Sequence, residues 1–236
     1  MTGRLSSLSA VTVDLVILTI RHETLEVLVI ERATAPYVGA LALPGGFLEP
    51  GENLDQAAHR ELAEETGLDA DTLHIEQIGA YGDPDRDPRG RVVSVCYMAM
   101  MPDLPHPAAG GDARAVRWVP VETLAAQPDR LAFDHHKLLL DAVERARGKL
   151  SYTTLAASFC PPRFTVADLR RVYEIVWGIR LDPSNFRRKV TGVPGFLVRD
   201  DDRTAATGGR PAHLYRTGPA IHLHPALSRE TLIEQH

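Results

Sequence analysis

The chain has little of what marks a secreted, membrane-spanning or disordered protein. Only two cysteines occur in 236 residues, Cys96 and Cys160. Neither has a nearby Cys or His at metal-ligand spacing, which argues against a disulfide framework and against a thiolate metal centre. Long apolar runs are missing too: the most apolar early stretch, Val11 to Ile20, holds ten residues, includes Asp14, and is followed by Arg21 and His22. Such a stretch reads as a buried strand, not as a signal peptide or a bilayer span. No long tract is biased enough to be disordered throughout, and no internal repeat is present. These absences point to a reduced, cytoplasmic protein with no membrane partner.

What is present suits a globular protein, with 44% hydrophobic and 24% charged residues. The length predicts two domains, a front domain over 1–148 and a smaller one over 149–236. Charge divides the same way. Residues 1–148 carry 13 Lys and Arg against 23 Asp and Glu, a net of −10, whereas residues 149–236 carry 13 against 8, a net of +5. A polyanion would therefore bind the tail.

The front domain opens as a hairpin, with β-branched segments Val11–Ile20 and Glu26–Ile30 flanking a polar turn. Asn53 with Gln56 forms a capping-box signature for a helix beginning at Leu54, and Gly67 is its expected stop. Strands are expected near Leu73–Tyr81, Arg91–Met101 and Ala115–Val119. A helix capped by Asp134 is expected to end at Gly148 and to join the domains. In the tail, Thr165 with Asp168 caps a helix closed by Gly178, and Asp182 caps another with Pro183 in its first turn. Strands at Phe196–Val198 and His213–Arg216 would then flank a loop over Asp200–Pro211. Close helices followed by two strands suggest a winged helix.

The densest chemical signal spans Gly46 to Leu68: a glycine, five residues, Glu52, seven residues, then Arg60-Glu61-Leu62-Ala63-Glu64-Glu65-Thr66-Gly67-Leu68. Glu61, Glu64 and Glu65 share one helical face, where mutual repulsion is relieved by bound cations. Hard oxygen ligands favour Mg²⁺ or Mn²⁺, which bridge carboxylates to phosphates and lower the pKa of a bound water. Arg60 and Glu52 are candidates for an ion pair that fixes loop to helix, while Gly45 and Gly46 let backbone approach phosphates. Every fixed position of the Nudix box is matched, so the front domain resembles a Nudix hydrolase. That resemblance implies an α/β/α sandwich with a mixed sheet, metal binding by Glu61, Glu64 and Glu65, and pyrophosphohydrolase chemistry.

Asp83 to Val92 resembles a loop near the substrate in ADP-ribose-type Nudix proteins. Arg32, Arg86, Arg89 and Arg91 are candidates either to contact phosphates or to pair with nearby acids, and Tyr37, Phe47 and Tyr81 either to stack on adenine or to pack in the core. On the helix from Pro183, Phe186 and Val190 face inward. Ser184, Arg188 and Thr191 lie opposite, with Asn185, Arg187 and Lys189 available to bases or phosphates. Arg203, Arg210 and His213 lie in or beside the wing. With PPRFTVADLRRVYE at Pro161–Glu174, LDPSNFRRKV at Leu181–Val190 and GRPAHLYR at Gly209–Arg216, nearly the whole α+β chain is similar to the NrtR-type Nudix-related regulators. The resemblance implies a homodimeric repressor of NAD-metabolism genes that responds to ADP-ribose and binds a duplex operator. Many such regulators carry decayed boxes and sense without cleaving. Here the box is intact, so hydrolysis of ADP-ribose to AMP and ribose 5-phosphate stays open. An ADP-ribose pyrophosphatase, or a hydrolase of another nucleoside diphosphate, whose tail only dimerises is the alternative.

Overall fold

The computed structural model describes residues 9–66, 75–102, 104, 113–203 and 212–233, with the side chains of residues 65, 66, 113, 114, 202 and 203 outside that description. The chain divides into two compact units, residues 1–21 with 25–143, and residues 22–24 with 144–236. No helix among the described residues is long and apolar enough to cross a membrane.

The first unit is built on a mixed sheet. Strands β1 (Ala10–Arg21), β2 (Thr24–Arg32), β3 (Leu41–Ala42), β4 (Gly45–Phe47), β5 (Ile75–Tyr81), β6 (Val92–Met100) and β7 (Ala113–Pro120) are ordered β3-β2-β1-β6-β5, with β4 paired to β1 and β7 to β2. The β1–β6 pair is parallel, whereas β4, β3, β7 and β5 join antiparallel. Residues Val13 through Leu18 are buried almost without a break because both faces of β1 are covered. Alternation sends Val13, Leu15 and Ile17 to one face, where they pack with Ala57, Ala58 and Leu62 of α1 (Leu54–Thr66). Asp14 is thereby turned to the other face. The turn between β1 and β2 is His22–Glu23, both left-handed at φ 47 and 59, which matches the twist of a two-residue hairpin.

Helix α1 starts with the expected reciprocal cap. The Gln56 amide N–H donates to Asn53 Oδ1 and the Asn53 N–H donates to Gln56 Oε1, each at 2.9 Å. Gly67, the expected stop, lies outside the described residues. After α2 (Val121–Ala125), helix α3 runs from His135 to Tyr152 and corrects two expectations. Gly148 does not end it: a Cβ there would meet nothing, and Ala146 and Leu150 on either side are buried, which offsets the roughly 1 kcal/mol cost of a helical glycine. Asp134 gives its carboxylate to Arg86 instead of a helix amide.

The second unit contains the rest of α3, then α4 (Leu155–Ser158), α5 (Val166–Trp177), α6 (Pro183–Gly192), strands β8 (Leu197–Arg203) and β9 (His213–Thr217), and α7 (Arg229–Leu232). Thr165 and Asp168 form a capping box, and Gly178 closes α5 at φ 68. Asp182 accepts from the Asn185 N–H ahead of Pro183. The core gathers Tyr173, whose ring meets Trp177 at 4.8 Å and Phe186 at 5.3 Å edge-on. Strands β8 and β9 pair antiparallel, and a bridge from Phe164 to Tyr215 widens the ribbon. Residues Asp200–Arg203, expected as loop, continue β8, while residues 204–211 lie outside the described residues.

Removing the cap tests this local logic. Thr165→Ala should cost about 1 kcal/mol, seen as a lower urea midpoint by Trp177 fluorescence in a Trp118→Phe background.

Candidate functional site

Where β4 meets α1, a guanidinium organises three carboxylates. Arg60 donates through Nε to Glu52 Oε1 at 2.6 Å and through Nη2 to Glu52 Oε2 at 3.1 Å, the ion pair expected between loop and helix. Its Nη1 reaches Glu61 Oε1 at 2.8 Å and Glu64 Oε2 at 3.3 Å, and Nη2 also donates to the Phe47 carbonyl at 3.2 Å. The Arg60 bond, with help from the Glu49 N–H, holds the Glu52 carboxyl below the usual carboxylate range. Burial pushes Glu61 the other way, above that range, with Arg60 opposing and the charges of Glu64 and Asp14 adding to the rise.

The glycines here are required by space. A Cβ on Gly46 would sit 2.1 Å from Glu61 Oε1, and one on Gly45, at φ 152, would sit 2.2 Å from the Val13 carbonyl oxygen. Backbone at Gly46 is therefore in direct reach of the α1 carboxylates. Among the described residues no group of three or more His, Cys, Asp or Glu side chains stands ready to hold a metal ion, and the side chain of Glu65, the third of the trio, lies outside them. The two described carboxylates nevertheless fit a hard divalent cation. Glu61 is buried against like charge, and Arg60 already acts as a counter-cation between Glu61 and Glu64.

On the other side of β4 lies a cleft of about 200 Å³. Its floor is a buried polar network. Asp14 accepts from the Ser94 hydroxyl and faces Arg86 Nη2 and His135 Nε2, each at 3.5 Å. Arg86 also binds Asp134 through Nε at 3.0 Å and Nη2 at 2.7 Å, leaving its side chain 3% exposed. The Leu43 N–H donates to His135 Nδ1 at 2.9 Å, so in the neutral ring the proton sits on Nε2, toward Asp14. Complete burial lowers the His135 pKa, opposed by the charges of Asp14 and Asp134.

The walls differ from the floor. Phe47 is 44% exposed, and Phe133 holds a left-handed backbone at φ 56 with Tyr37 edge-on at 4.9 Å. Arg89 lies over Phe47 and grips Asp87 with two nitrogens. Of the residues expected at a ligand, Arg32, Gly45, Gly46, Phe47, Arg86 and Arg89 all line this cleft. Arg91 does not, donating to the Gly82 carbonyl. Tyr81 donates to Asp141. Thr12, Asp14, Asp87, Phe133 and His135 also line it, and sequence reasoning had passed them over. Asp14, an acid inside an apolar run, was the available signal.

In the second unit, Phe186 and Val190 of α6 are fully buried, as expected, while Ser184, Arg187, Arg188 and Thr191 are exposed and Lys189 is half-buried. Asn185 is already committed: Nδ2 donates to the Thr231 carbonyl at 2.6 Å, and Oδ1 accepts from Arg188 at 2.7 Å. His213 sits 3.0 Å from an Arg199 nitrogen. Ser184, Arg187 and His213 share the lining of a second cavity, about 310 Å³, with Arg170 and Tyr215. The Arg203 side chain and Arg210 fall outside the described residues. Arg163 and Arg216 flank the buried Asp200 at 3.1 and 3.4 Å.

Residues 9–142 match the NUDIX domain and residues 156–217 match the NrtR DNA-binding winged helix domain. The chain is 39% identical over 207 residues, 87% of its length and 80% of the relative's, to an "ADPR responsive transcriptional repressor NtrR" of Acinetobacter baylyi. Over 125 residues, 52% of this chain and 69% of the other, it is 38% identical to an ADP-ribose pyrophosphatase of Methanocaldococcus jannaschii. Among solved structures it resembles Shewanella oneidensis NrtR complexed with a 27mer DNA, with TM-score 0.69 and 34% identity over 89% of this chain and 94% of that one. The NUDIX domain of the same protein complexed with ADP ribose matches with TM-score 0.55 and 34% identity, over 62% and 94% of the two chains.

The buried histidine gives the floor a pH signature. Below its ordinary pKa of 6.5 the unfolded chain takes up a proton that folded His135 resists, so stability present above that pH is lost on acidification, by up to about 1.4 kcal/mol per pH unit. His135→Asn keeps an acceptor for the Leu43 N–H and should flatten the fall in urea midpoint between pH 6.5 and about 5. An equally steep fall in the variant would remove His135 as its source.

Proposed function

The chain belongs to the Nudix family and carries an NrtR-type winged helix domain, and on that premise we propose that it is an ADP-ribose-responsive DNA-binding repressor of NAD-metabolism genes. The observation that carries the reading is the meeting, at Gly45 and Gly46, of a cation-rimmed aromatic cleft with the α1 carboxylates. A nucleoside diphosphate can lay its planar base and sugar in the cleft and its phosphates across the glycine backbone. The relatives in which ADP-ribose and DNA are named support the choice of ligand and partner.

Each group then has a task. The Arg89 and Arg32 guanidiniums face the phosphates, Phe47 offers an exposed ring to the base, and the Asp14–Arg86–Asp134–His135 network keeps the floor from rearranging. Glu61, Glu64 and Glu65 would hold Mg²⁺ or Mn²⁺, which supplies charge neutralisation at the diphosphate and a water of lowered pKa. Arg60 orients Glu61 and Glu64 through its hydrogen bonds. With this box intact, we propose that slow hydrolysis to AMP and ribose 5-phosphate resets the sensor. On the tail, Ser184, Arg187, Arg188 and Thr191 of α6 would enter the major groove, with a cytoplasmic homodimer reading a two-fold operator.

Gel shifts with DNA from the gene's own upstream region should show a salt-sensitive, sequence-selective complex, weakened about tenfold or more by ADP-ribose, equivalent to roughly 1.4 kcal/mol of coupling. Absence of selective binding would overturn the repressor reading. Magnesium-dependent release of AMP should fall about 100-fold or more in Glu65→Gln while the gel shift persists. Unchanged turnover would overturn the assignment of the acidic trio.

A further inference from the structure

Two arginines of the cleft converge on one ring. Arg32 lies 4.9 Å and Arg89 5.6 Å from the centroid of Phe133. Burial and then the nearby charge of Arg89 hold the Arg32 guanidinium below its ordinary pKa. Like charges held this close are stable only with compensation, and an aromatic face supplies part of it through its quadrupole. Asp87 supplies more on the Arg89 side.

The remaining donors of both guanidiniums point to what is missing. Arg32 spends Nε on the Pro36 carbonyl and Nη2 on the Thr34 carbonyl. Arg89 spends Nε and Nη2 on Asp87. Among the described residues neither Nη1 has a protein acceptor, and both side chains line the cleft. Two unclaimed N–H₂ groups of like charge, gathered by one ring, match an anion with several oxygens.

Phe133 holds this position under strain. Its φ of 56 is a left-handed conformation that a bulky side chain rarely adopts, and residues kept in such conformations cluster at ligand clamps. Tyr37, itself at φ 64, packs edge-on against the ring, and His135 lies 5.2 Å away. The ring is thereby braced from two sides.

We propose that Phe133 is a positioning residue whose ring gathers Arg32 and Arg89 into a grip for the diphosphate of the bound nucleotide. The inference rests on the reading of this cleft as an ADP-ribose site and adds to it the residue that sets the grip. Phe133 acts through the arginines, not by stacking on the base, which falls to Phe47.

The test is metal-free calorimetric titration of ADP-ribose into the full chain and its variants. Phe133→Leu keeps apolar bulk without the ring; at about 50 mM salt it should bind about tenfold more weakly, with the loss shrinking to about threefold at about 500 mM as screening replaces the grip. Phe133→Tyr restores the ring and should bind within about twofold of the parent. Thermal melts of both variants confirm folding, and unchanged salt dependence in Phe133→Tyr guards against a merely structural effect. If Phe133→Leu binds like the parent, or loses the same factor at both salt concentrations, the grip is overturned. If the parent itself fails to bind ADP-ribose, the reading of the cleft fails first, and the two failures are thereby told apart.

Discussion

The site depends on a backbone that has no side chain where it crosses a carboxylate. Glu61 lies against Gly46 so closely that a single Cβ would collide with its Oε1. That approach holds because β4 is pinned to β1 through Val13 and Gly46 and because Arg60 ties the Glu61 carboxylate and the Phe47 carbonyl to the same guanidinium. A side chain at Gly46 would displace the Glu61 carboxylate from its place beside Arg60. The glycine thus brings an arginine-rimmed cleft and a carboxylate-bearing helix face together across one strand.

Within the cleft, floor and walls follow opposite electrostatic rules. Asp14, Arg86 and His135 are buried beside a half-buried Asp134, and a buried charge is tolerable only when it is paired and hydrogen-bonded. Each of these groups has that partner, so the floor's hydrogen bonds are satisfied from within. Arg32 and Arg89 instead keep donors unclaimed at the rim, above an exposed Phe47. A stiff, self-satisfied floor beneath an unsatisfied cationic rim suits recognition of a flexible anion, because binding then requires little rearrangement of the protein.

Features with local causes were legible in the sequence. The box from Gly46 to Leu68 was readable because helix geometry alone places glutamates three and four apart on one face. The caps at Asn53, Thr165 and Asp182 were readable because capping is a bond across three residues. Features with distant causes were not. His135 meets Leu43 across 92 positions, and Arg86 meets Asp14 across 72, so no spacing rule could join them. Arg86, read as a candidate for either phosphate or a nearby acid, is committed to the acid Asp134. Gly148 misled because a glycine stops a helix only where packing on either side does not continue it. Asp14 stands out in the sequence as an acid in an apolar strand, but its partners Ser94, Arg86 and His135 all lie far along the chain.

The most direct measurement is a diffraction structure of the protein grown with ADP-ribose and magnesium. Diphosphate density over the Gly45–Gly46 backbone, with Arg32 and Arg89 on one side and metal density among Glu61, Glu64 and Glu65 on the other, is the expected result. A nucleotide bound elsewhere on the chain, or one whose phosphates stay clear of the glycines while the acidic face holds no metal, would contradict it.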